Sequence, residues 1–377
     1  MRGNYILSVG IGVLSLFCFL YSCNHQKKED MDSEVFMYIG TYTAKDSEGI
    51  YAYKLDTRTG DTELVSSTKI DNPSFLATSP NGKILFAASE NNDRERDAIH
   101  SYQIDPATGK LTLLDSVLVE GIAPCNLMNT PNGDWVATAN YTSGSVSLVK
   151  VNDFGMFDDE VHVLQFEGSG PNQERQKQSH LHAVYASPDS LYLFANDLGG
   201  DKIYRFDNMN DLANSSISEI DVKPGSGPRH TAFHPNGKWA YTITELSGEV
   251  IAFNYTDGVL EEFQTIEADS LGAGGSADIQ ITPNGKYLYA SNRLKGDGIA
   301  LFSINQTSGQ LEKIGYQATG IHPRNMAITP NGRFLLVACR DTDTVELYRI
   351  DSKTGLLKNI NKDIQVSMPV FIRLVQK

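Results

Sequence analysis

A short phrase recurs along the chain at a regular spacing. Six times a proline follows serine, threonine or histidine, with Asn-Gly after it in five copies and Asp-Ser in one. The six prolines, separated by 51, 57, 47, 48 and 47 residues, are Pro80, Pro131, Pro188, Pro235, Pro283 and Pro330. A period of about 40–50 residues made of short strands is typical of propeller blades. The chain is therefore predicted to be an array of one repeated unit.

Each copy of the phrase predicts a hairpin between two apolar runs, such as Arg229–His234 and Lys238–Ile243. Proline presets φ, and Asn-Gly tolerates positive φ, which suits a reversal between antiparallel strands. A second turn signal appears at Asp56–Gly60, Asp105–Gly109, Asn305–Gly309 and Asp351–Gly355. Val, Ile, Tyr, Phe and Thr dominate the runs, as strands prefer, and no convincing helical period follows residue 35. Each unit is predicted to hold four strands.

The two ends of the chain supply one further unit between them. Met368–Leu374 has the form of a first strand, like Asn72–Thr78, but no hairpin follows it. Val35–Tyr42 has the form of a second strand with no first strand ahead of it. Pairing them completes a seventh blade and removes exposed sheet edges, whereas a linear β-solenoid would leave both half-blades unpaired. We predict an all-β, seven-bladed propeller over residues 35–377.

The N-terminus has the pattern of a bacterial lipoprotein signal. Arg2 precedes an apolar stretch, Tyr5–Leu20, and then Tyr21 and Ser22 lead to Cys23. This predicts a signal peptide over 1–22, lipidation of Cys23 and a polar tether over 23–34, rather than a membrane span. We expect an exported lipoprotein anchored in the outer membrane, facing the periplasm or the cell surface, with membrane contact through the lipid only.

Composition excludes several classes of partner. A net charge of −14 argues against nucleic acid, because phosphate binding needs a basic face. Cys125 and Cys339 map to separate blades, so no disulfide framework is expected. His180 and His182 lack a clear third metal ligand, and we expect neither metal nor cofactor. Repeats stack many small cores, so one domain, expected to be a monomer, accounts for the chain.

Alignment on the hairpin prolines gives a structural coordinate. Residues that enter the first strand or leave the second must lie at the end of the blade opposite the hairpin, on one face of the ring. Six residues before each proline, and in the closing blade, stand Ser74, Cys125, His182, Arg229, Ala277, Arg324 and Val370. Ten residues after it stand Glu90, Tyr141, Leu198, Glu245, Arg293, Arg340 and, in the closing blade, Tyr42. Arginines gathered at one mouth of an acidic protein predict a site for a carboxylate or phosphate.

Each member also has a structural interpretation. Arg229 or Arg293 alone could form a salt bridge with Glu245 or Asp197, and His182 alone could be a core histidine. Glu90 precedes a charged loop and is expected to be solvated. Concentration of charged groups at matching channel positions favours a ligand site.

Seven motifs at these positions carry a family resemblance. They are Ser179–Ala183, Asp197–Gly199, Gly227–His230, Thr244–Leu246, Ala277–Ile279, Ser291–Arg293 and Pro323–Asn325. The sequence resembles the lactonase family of seven-bladed propellers, which includes a bacterial type of 6-phosphogluconolactonase and a carboxy-muconate lactonising enzyme. The resemblance covers nearly the whole mature chain, in order.

The resemblance implies catalytic roles for a histidine, two arginines and a glutamate. These fall on His182, Arg229, Glu245 and Arg293. We assign substrate binding to His180, Arg324, Arg340 and Tyr42. Gln280 departs from some bacterial members, which have a histidine there, and bears on packing or substrate detail.

The expected activity is hydrolysis of a sugar lactone, with a sugar lactone or sugar acid as ligand. Glu245 or His182 would take the proton of water, while Arg229 and Arg293 stabilise the oxyanion. Two alternatives stay open: a non-catalytic surface propeller that binds an anionic glycan or a protein, and an isomerase that closes a lactone ring.

Overall fold

The computed structural model describes residues 34–377. The predicted signal peptide, Cys23 and all of the predicted tether except Glu34 lie outside the described residues. Within 34–377 the regular structure is β-strand apart from two 3₁₀ turns, Leu212–Asn214 and Arg340–Thr342. No helix in this range is long and apolar enough to cross a bilayer.

The strands form seven antiparallel sheets, each a blade with its innermost strand beside a central channel. From inner to outer strand, blade 1 consists of β29 (Pro369–Gln376), β1 (Glu34–Thr41), β2 (Gly49–Asp56) and β3 (Thr62–Lys69). Blade 2 consists of β4 (Pro73–Thr78), β5 (Ile84–Ser89), β6 (Ala98–Ile104) and β7 (Leu111–Leu118). Blade 3 consists of β8 (Pro124–Asn129), β9 (Trp135–Asn140), β10 (Ser145–Val151) and β11 (Phe157–Gln165). Blades 4 and 5 are β12 (Leu181–Ala186), β13 (Leu193–Asp197), β14 (Lys202–Phe206), β15 (Ile217–Asp221); and β16 (Pro228–Phe233), β17 (Trp239–Thr244), β18 (Glu249–Thr256), β19 (Val259–Glu267). Blades 6 and 7 are β20 (Ile279–Ile281), β21 (Tyr287–Asn292), β22 (Gly298–Ile304), β23 (Leu311–Ala318); and β24 (Pro323–Ile328), β25 (Phe334–Cys339), β26 (Thr344–Ile350), β27 (Leu357–Asn359), with β28 (Ile364–Gln365) also paired to β26.

Blade 1 closes the ring from both ends of the chain. Strand β1 lies between β29 and β2, so Met37 pairs with Leu374 on one side and with Tyr53 on the other. The predicted seven-bladed fold and its closure by terminal strands are therefore confirmed. Closure leaves no blade with an unpaired inner strand, which removes the edges of an open array.

The hydrophobic core is divided among the blade interfaces. Seven clusters of buried side chains occur in residues 34–377, and each joins two neighbouring blades. Between blades 3 and 4, for example, Trp135 packs in one cluster with Leu181 and Phe206, all almost fully buried. Each large apolar side chain buried in this way contributes about 1.5–3 kcal/mol. The ring is therefore held by contacts between consecutive units.

Aspartates fix where the next inner strand begins. In four blades an aspartate stands directly before the third strand. Its carboxylate accepts a hydrogen bond from a backbone N–H in the next blade, that of the residue directly before the inner strand. The pairs are Asp97 with Ala123 (2.8 Å), Asp201 with Gly227 (2.8 Å), Asp297 with His322 (2.7 Å) and Asp343 with Met368 (2.9 Å). Hydrogen bonds to a carboxylate are worth about 1.5–3 kcal/mol each. They lock the ends of the inner strands on the face opposite the hairpins.

Candidate active site at the mouth of the channel

A β-bulge occurs near the start of six inner strands. The pairing with the second strand skips one residue in each, and the skipped residues are Ser74, Cys125, His182, Arg229, Arg324 and Val370. A bulge leaves its extra residue out of the ladder and re-aims the side chain. The skipped residues are the members of the column six positions before the hairpin proline, apart from Ala277. Local backbone geometry therefore presents this column at the mouth.

A pocket of about 330 Å³ lies at this mouth. Its lining residues come from six blades and one loop: Glu90, Cys125, Tyr141, Arg175, His182, Arg229, Glu245, Arg293 and Arg324. The structure thus brings the four predicted catalytic residues together with Arg324. Four guanidinium groups face two carboxylates, which leaves the pocket positively charged within an acidic protein.

Glu245 is the centre of a buried ionic cluster. Its Oε2 accepts hydrogen bonds from Arg229 Nε (2.8 Å) and Arg293 Nη2 (3.2 Å). Its Oε1 accepts from Arg175 Nη2 (2.6 Å). Burial alone raises the pKa of Glu245, but the charges of Arg293, Arg229 and Arg175 outweigh it and lower the pKa to about 2. The carboxylate of Glu245 is therefore ionised. The salt bridges from Arg229 and Arg293 to Glu245, which the structural interpretation of these arginines predicts, are present and lie within the pocket.

Arg229 is almost completely buried at 1% exposure. Besides Glu245, its guanidinium donates from Nη1 to the carbonyl of Ala277 and lies 3.3 Å from His230 Nε2. Its Nη2 has no hydrogen-bond partner among residues 34–377, so this N–H group is available to a ligand in the pocket.

Arg293 is occupied at all three nitrogens. It donates from Nε to Gly275 O (2.7 Å), and its Nη1 contacts His322 Nε2 (3.1 Å), while Nη2 reaches Glu245. Burial lowers the pKa of Arg293 to about 9, although Glu245 opposes the shift. In this arrangement Arg293 orients Glu245 across the interface between blades 5 and 6.

His182 is buried beside these cations. Its Nδ1 has no hydrogen-bond partner in the described part of the chain. The rings of Tyr141 and His230 approach it edge-on, at centroid distances of 5.6 and 5.4 Å. Burial, followed by the charge of Arg229, holds the pKa of His182 well below its usual value. The imidazole is therefore neutral at physiological pH.

Glu90 belongs to the opposite side of the pocket, which corrects the expectation that it is solvated. Its Oε2 accepts from Tyr42 Oη (2.9 Å) and lies 3.5 Å from Arg324 Nη2. The guanidinium of Arg324 also stands 5.2 Å from the ring centre of Tyr42. Tyr42 thus supports the wall of the pocket rather than lining it. Among residues 34–377 Arg324 makes only this one long hydrogen bond, so its other N–H groups are free for an anion.

Two other predicted substrate-binding residues, like Tyr42, do not line the pocket. His180 stacks on Tyr141 at 4.4 Å, with its Nδ1 2.8 Å from that residue's carbonyl oxygen. Arg340 sits in a 3₁₀ turn and makes two hydrogen bonds to the adjacent Asp341 (2.6 and 2.9 Å). The turn directs Arg340 along the surface of the ring and not into the mouth.

Arg175 is a pocket residue that the column alignment misses. It lies in the loop between β11 and β12 and donates to Glu245 and to Tyr141 Oη (3.0 Å). The loop is fastened by Gln176, which donates to Leu198 O (2.9 Å). A signal existed in the spacing of 57 residues between Pro131 and Pro188, against 47 to 51 elsewhere. The longer spacing indicates an extra loop, but it does not indicate where that loop packs on the ring.

Within residues 34–377, no cluster of histidine, cysteine, aspartate and glutamate has the grouping that holds a metal ion. Cys125 and Cys339 are buried free thiols in blades 3 and 7. The side chains that line the mouth pocket supply an imidazole, two carboxylates, four guanidinium groups, a phenol and a thiol.

Comparison with known proteins identifies relatives over nearly the whole chain. A 6-phosphogluconolactonase of Formosa agariphila is 38% identical over 341 residues, covering 88% of this chain and 97% of the relative. A 6-phosphogluconolactonase of Bacillus subtilis is 35% identical over 347 residues, covering 90% and 98%.

Solved structures agree. A Bacteroides fragilis protein solved as a candidate 6-phosphogluconolactonase superposes with a TM-score of 0.88 at 45% identity, covering 92% of this chain and 99% of that one. The periplasmic gluconolactonase of Pseudomonas aeruginosa gives 0.85 at 30% identity, covering 91% and 99%. Residues 36–374 match the sequence profile described as "Lactonase, 7-bladed beta-propeller". This chain therefore belongs to the lactonase family of seven-bladed β-propellers.

Proposed function

We propose that this chain is a lactonase, a carboxylic ester hydrolase that opens a sugar lactone in the manner of 6-phosphogluconolactonase, at the mouth pocket. Family membership and the names of its relatives support the reaction class. The observation that carries the location is the cluster of four guanidinium groups that line one pocket together with a neutral histidine. A lactone that bears a phosphate or carboxylate matches this charge.

Substrate binding uses the arginines with free donors. Arg324, and Arg175 at the rim, hold the anionic group of the substrate. Arg229 directs its free Nη2 toward the lactone carbonyl and stabilises the oxyanion as water attacks. Because every nitrogen of Arg293 already has a partner, it positions Glu245 and contributes positive potential.

His182 is the proposed base that takes the proton of the attacking water. Its imidazole is neutral and lines the pocket, whereas Glu245 is held by three guanidinium groups that make it a weak proton acceptor. Besides burial, the charges of Arg229 and Arg324 depress the pKa of His182. An anionic substrate offsets these charges, which raises the pKa of His182 when catalysis requires it.

Turnover assays test this function directly. Purified protein is assayed in a pH-stat with 6-phosphogluconolactone and with unphosphorylated gluconolactone, relative to the spontaneous rate. We expect hydrolysis of at least one lactone, and a loss of about 100-fold or more in kcat for Arg229→Ala. Arg333→Ala, at an exposed arginine on the hairpin face, is the control and should keep full activity.

Other outcomes would contradict the proposal. Binding of the sugar acid without turnover of any lactone would favour the surface-binding alternative. Formation of a lactone from the acid as the preferred direction would favour the isomerase. Unchanged activity in both Arg229→Ala and Glu245→Ala would remove the mouth pocket from the mechanism.

We further propose that the reaction takes place outside the cytoplasm, on a lipid-anchored monomer. The pattern ending at Cys23 supports this, and the Pseudomonas relative is described as periplasmic. Labelling with a radioactive fatty acid should mark the wild-type chain but not Cys23→Ser. Equal labelling, or recovery of the wild type in the cytoplasm, would oppose the assignment.

A further inference from the structure

A second cavity, of about 450 Å³, occupies the hairpin side of the channel. All seven inner strands line it, and its outer rim includes Thr78, Asn129 and Pro330. Pro330 is exposed and lies at a hairpin, so the cavity reaches the face opposite the mouth pocket. Its volume is in the range of small-molecule sites.

A layer of rings separates this cavity from the mouth pocket. Phe75 and Phe371 pack at a centroid distance of 3.9 Å, and His230 meets Phe75 edge-on at 6.3 Å. A void of about 10 Å³ lies at this level, between these rings and Arg229. That volume is about one water molecule, so a sugar does not fit in it.

Arg373 brings an uncompensated positive charge into the cavity. Its Nη2 donates to Thr78 Oγ1 (2.7 Å), while its Nε is buried without a partner. No carboxylate of residues 34–377 lies within ion-pair distance of it. A guanidinium has five N–H donors and stays protonated, so most of its donors are unused. A partly buried charge of this kind, with its Nε fully buried, is costly unless an anion neutralises it.

The carboxylate that lines the cavity is already satisfied. Asp278 Oδ1 lies 2.9 Å from His230 Nδ1. Its Oδ2 accepts from Asn325 Nδ2 (2.8 Å), Met326 N (2.8 Å) and Gln280 Nε2 (3.2 Å). His230 is neutral, because burial and then Arg229 lower its pKa to about 4. Asp278 is thus committed to blades 5 to 7 and leaves Arg373 unneutralised.

We propose that the channel cavity is a second anion-binding site, in which Arg373 and Thr78 hold the carboxylate or phosphate of a small polar ligand. A guanidinium with free donors matches the two oxygens of such a group. The site is physically separate from the mouth pocket and does not depend on the lactonase activity proposed for that pocket.

Crystals soaked in sodium selenate locate the site. In the wild type and in Arg373→Lys we expect an anomalous peak within about 4 Å of the cationic group at position 373, which is hydrogen-bonding range. In Arg373→Met this peak should be absent. A peak at the mouth pocket should persist in all three. Absence of the Arg373 peak in the wild type would overturn the proposal.

Solution measurements use sodium phosphate and sodium gluconate as probes. Calorimetry should show one class of binding lost in Arg373→Met, or weakened about 10-fold or more, as for loss of a charged hydrogen bond. Thr78→Val, which keeps the charge but removes the hydroxyl, should weaken binding less. Arg333→Met, on the exposed hairpin face, is the matched control. Equal binding of both probes to wild type and Arg373→Met would also overturn the proposal, as would binding only at concentrations used for soaking.

Thermal unfolding serves as the folding check for these variants, and lactone turnover is measured beside it. Arg373→Met should keep kcat within about twofold, because the ring layer isolates it from the mouth. If Arg373→Met does not fold, Arg373→Lys against Thr78→Val carries the comparison, and identical affinities for phosphate in these two and the wild type would count against the site.

Discussion

At the scale of single residues, the mouth pocket depends on how charges share one carboxylate. Glu245 accepts hydrogen bonds from Arg229, Arg293 and Arg175, while Arg324 makes a single long hydrogen bond to Glu90. A buried carboxylate with three guanidinium partners is stabilised as an anion and gives up its basicity. His182, whose neutral imidazole lines the same pocket, is then the available proton acceptor.

This division predicts a particular pH dependence for His182. The base must be deprotonated, so rates fall as pH drops through its pKa. The acid limb of kcat/KM reports the free enzyme, where the pKa of His182 is held well below 6.5. The acid limb of kcat reports the complex, where a bound anion offsets Arg229 and Arg324. We therefore expect the limb in kcat to lie at higher pH than the limb in kcat/KM.

The measurement uses the 6-sulfate ester of gluconolactone, whose charge stays constant over the assay range. Uncharged gluconolactone is the control and should show coincident limbs. A limb in kcat at or below that of kcat/KM for the sulfate would contradict the role of His182.

Arg175 is predicted to act on substrate affinity. Arg175→Gln removes a cation at the half-exposed rim but leaves Arg229 and Arg293 on Glu245. We expect kcat/KM for phosphorylated lactone to fall by about 10–100-fold, mainly through KM, because one charged contact is lost. Lys177→Gln, at an exposed cation in the same loop, should change little. Equal losses with charged and uncharged lactones would argue against anion recognition.

At the scale of elements, the start of the inner strand is the device that builds the site. The residue before the strand has positive φ at Ala123 (60°), Gly227 (64°), His322 (63°) and Met368 (46°), and proline follows each. An aspartate of the preceding blade holds its N–H, and a bulge comes two residues later. The left-handed residue turns the chain. The bulge then directs the side chain of the bulged residue, two positions later, into the mouth.

Gly227→Ala tests this element. A Cβ at Gly227 would lie 2.7 Å from Leu246 Cγ and 3.2 Å from Leu198 Cγ, in a left-handed conformation. We expect a loss of about 2–4 kcal/mol in unfolding free energy, from backbone strain and steric overlap, and reduced kcat because Arg229 follows two residues later. Gly272→Ala, also at positive φ but with open space around it, should cost only about 1–2 kcal/mol. Urea denaturation measures both, and equal costs would refute the steric part.

At the scale of the whole molecule, the ring is a chain of blade interfaces closed by a nine-residue segment at the C-terminus. The last strand, β29, supplies the inner strand of blade 1 and contacts the inner strands of blades 2 and 7. It also carries Val370 near the mouth and Arg373 in the channel cavity. Both ends of the channel therefore depend on closure.

Removal of residues 369–377 should abolish cooperative unfolding. Without β29, strand β1 exposes an apolar edge, and the clusters on both sides of blade 1 lose members such as Ile372 and Phe371. We expect aggregation on expression and no thermal transition by calorimetry. Deletion of the exposed Lys377 alone is the control and should shift Tm by about 1–2 °C at most. A soluble, cooperative and active truncated chain would show that closure is dispensable.

Much of this architecture could be predicted from the sequence. The hairpin phrase predicted the blades, and the two half-units at Val35–Tyr42 and Met368–Leu374 predicted the closing sheet. Aligned columns predicted that His182, Arg229, Glu245 and Arg293 would meet. These predictions succeed because a repeat places equivalent residues at equivalent positions, so that one local pattern specifies a global coordinate.

The sequence by itself determined the unit, its number and the face on which the charges gather, since turn chemistry and strand alternation are local properties. Only the tertiary structure decided which charges touch. Arg175 reaches Glu245 from a loop outside the repeat, Glu90 turns inward to Tyr42 and Arg324, and Arg340 turns away in a 3₁₀ turn. The physical reason is that ionic contacts across the channel join residues far apart in the chain, and their partners are set by how the closed ring packs rather than by any local pattern.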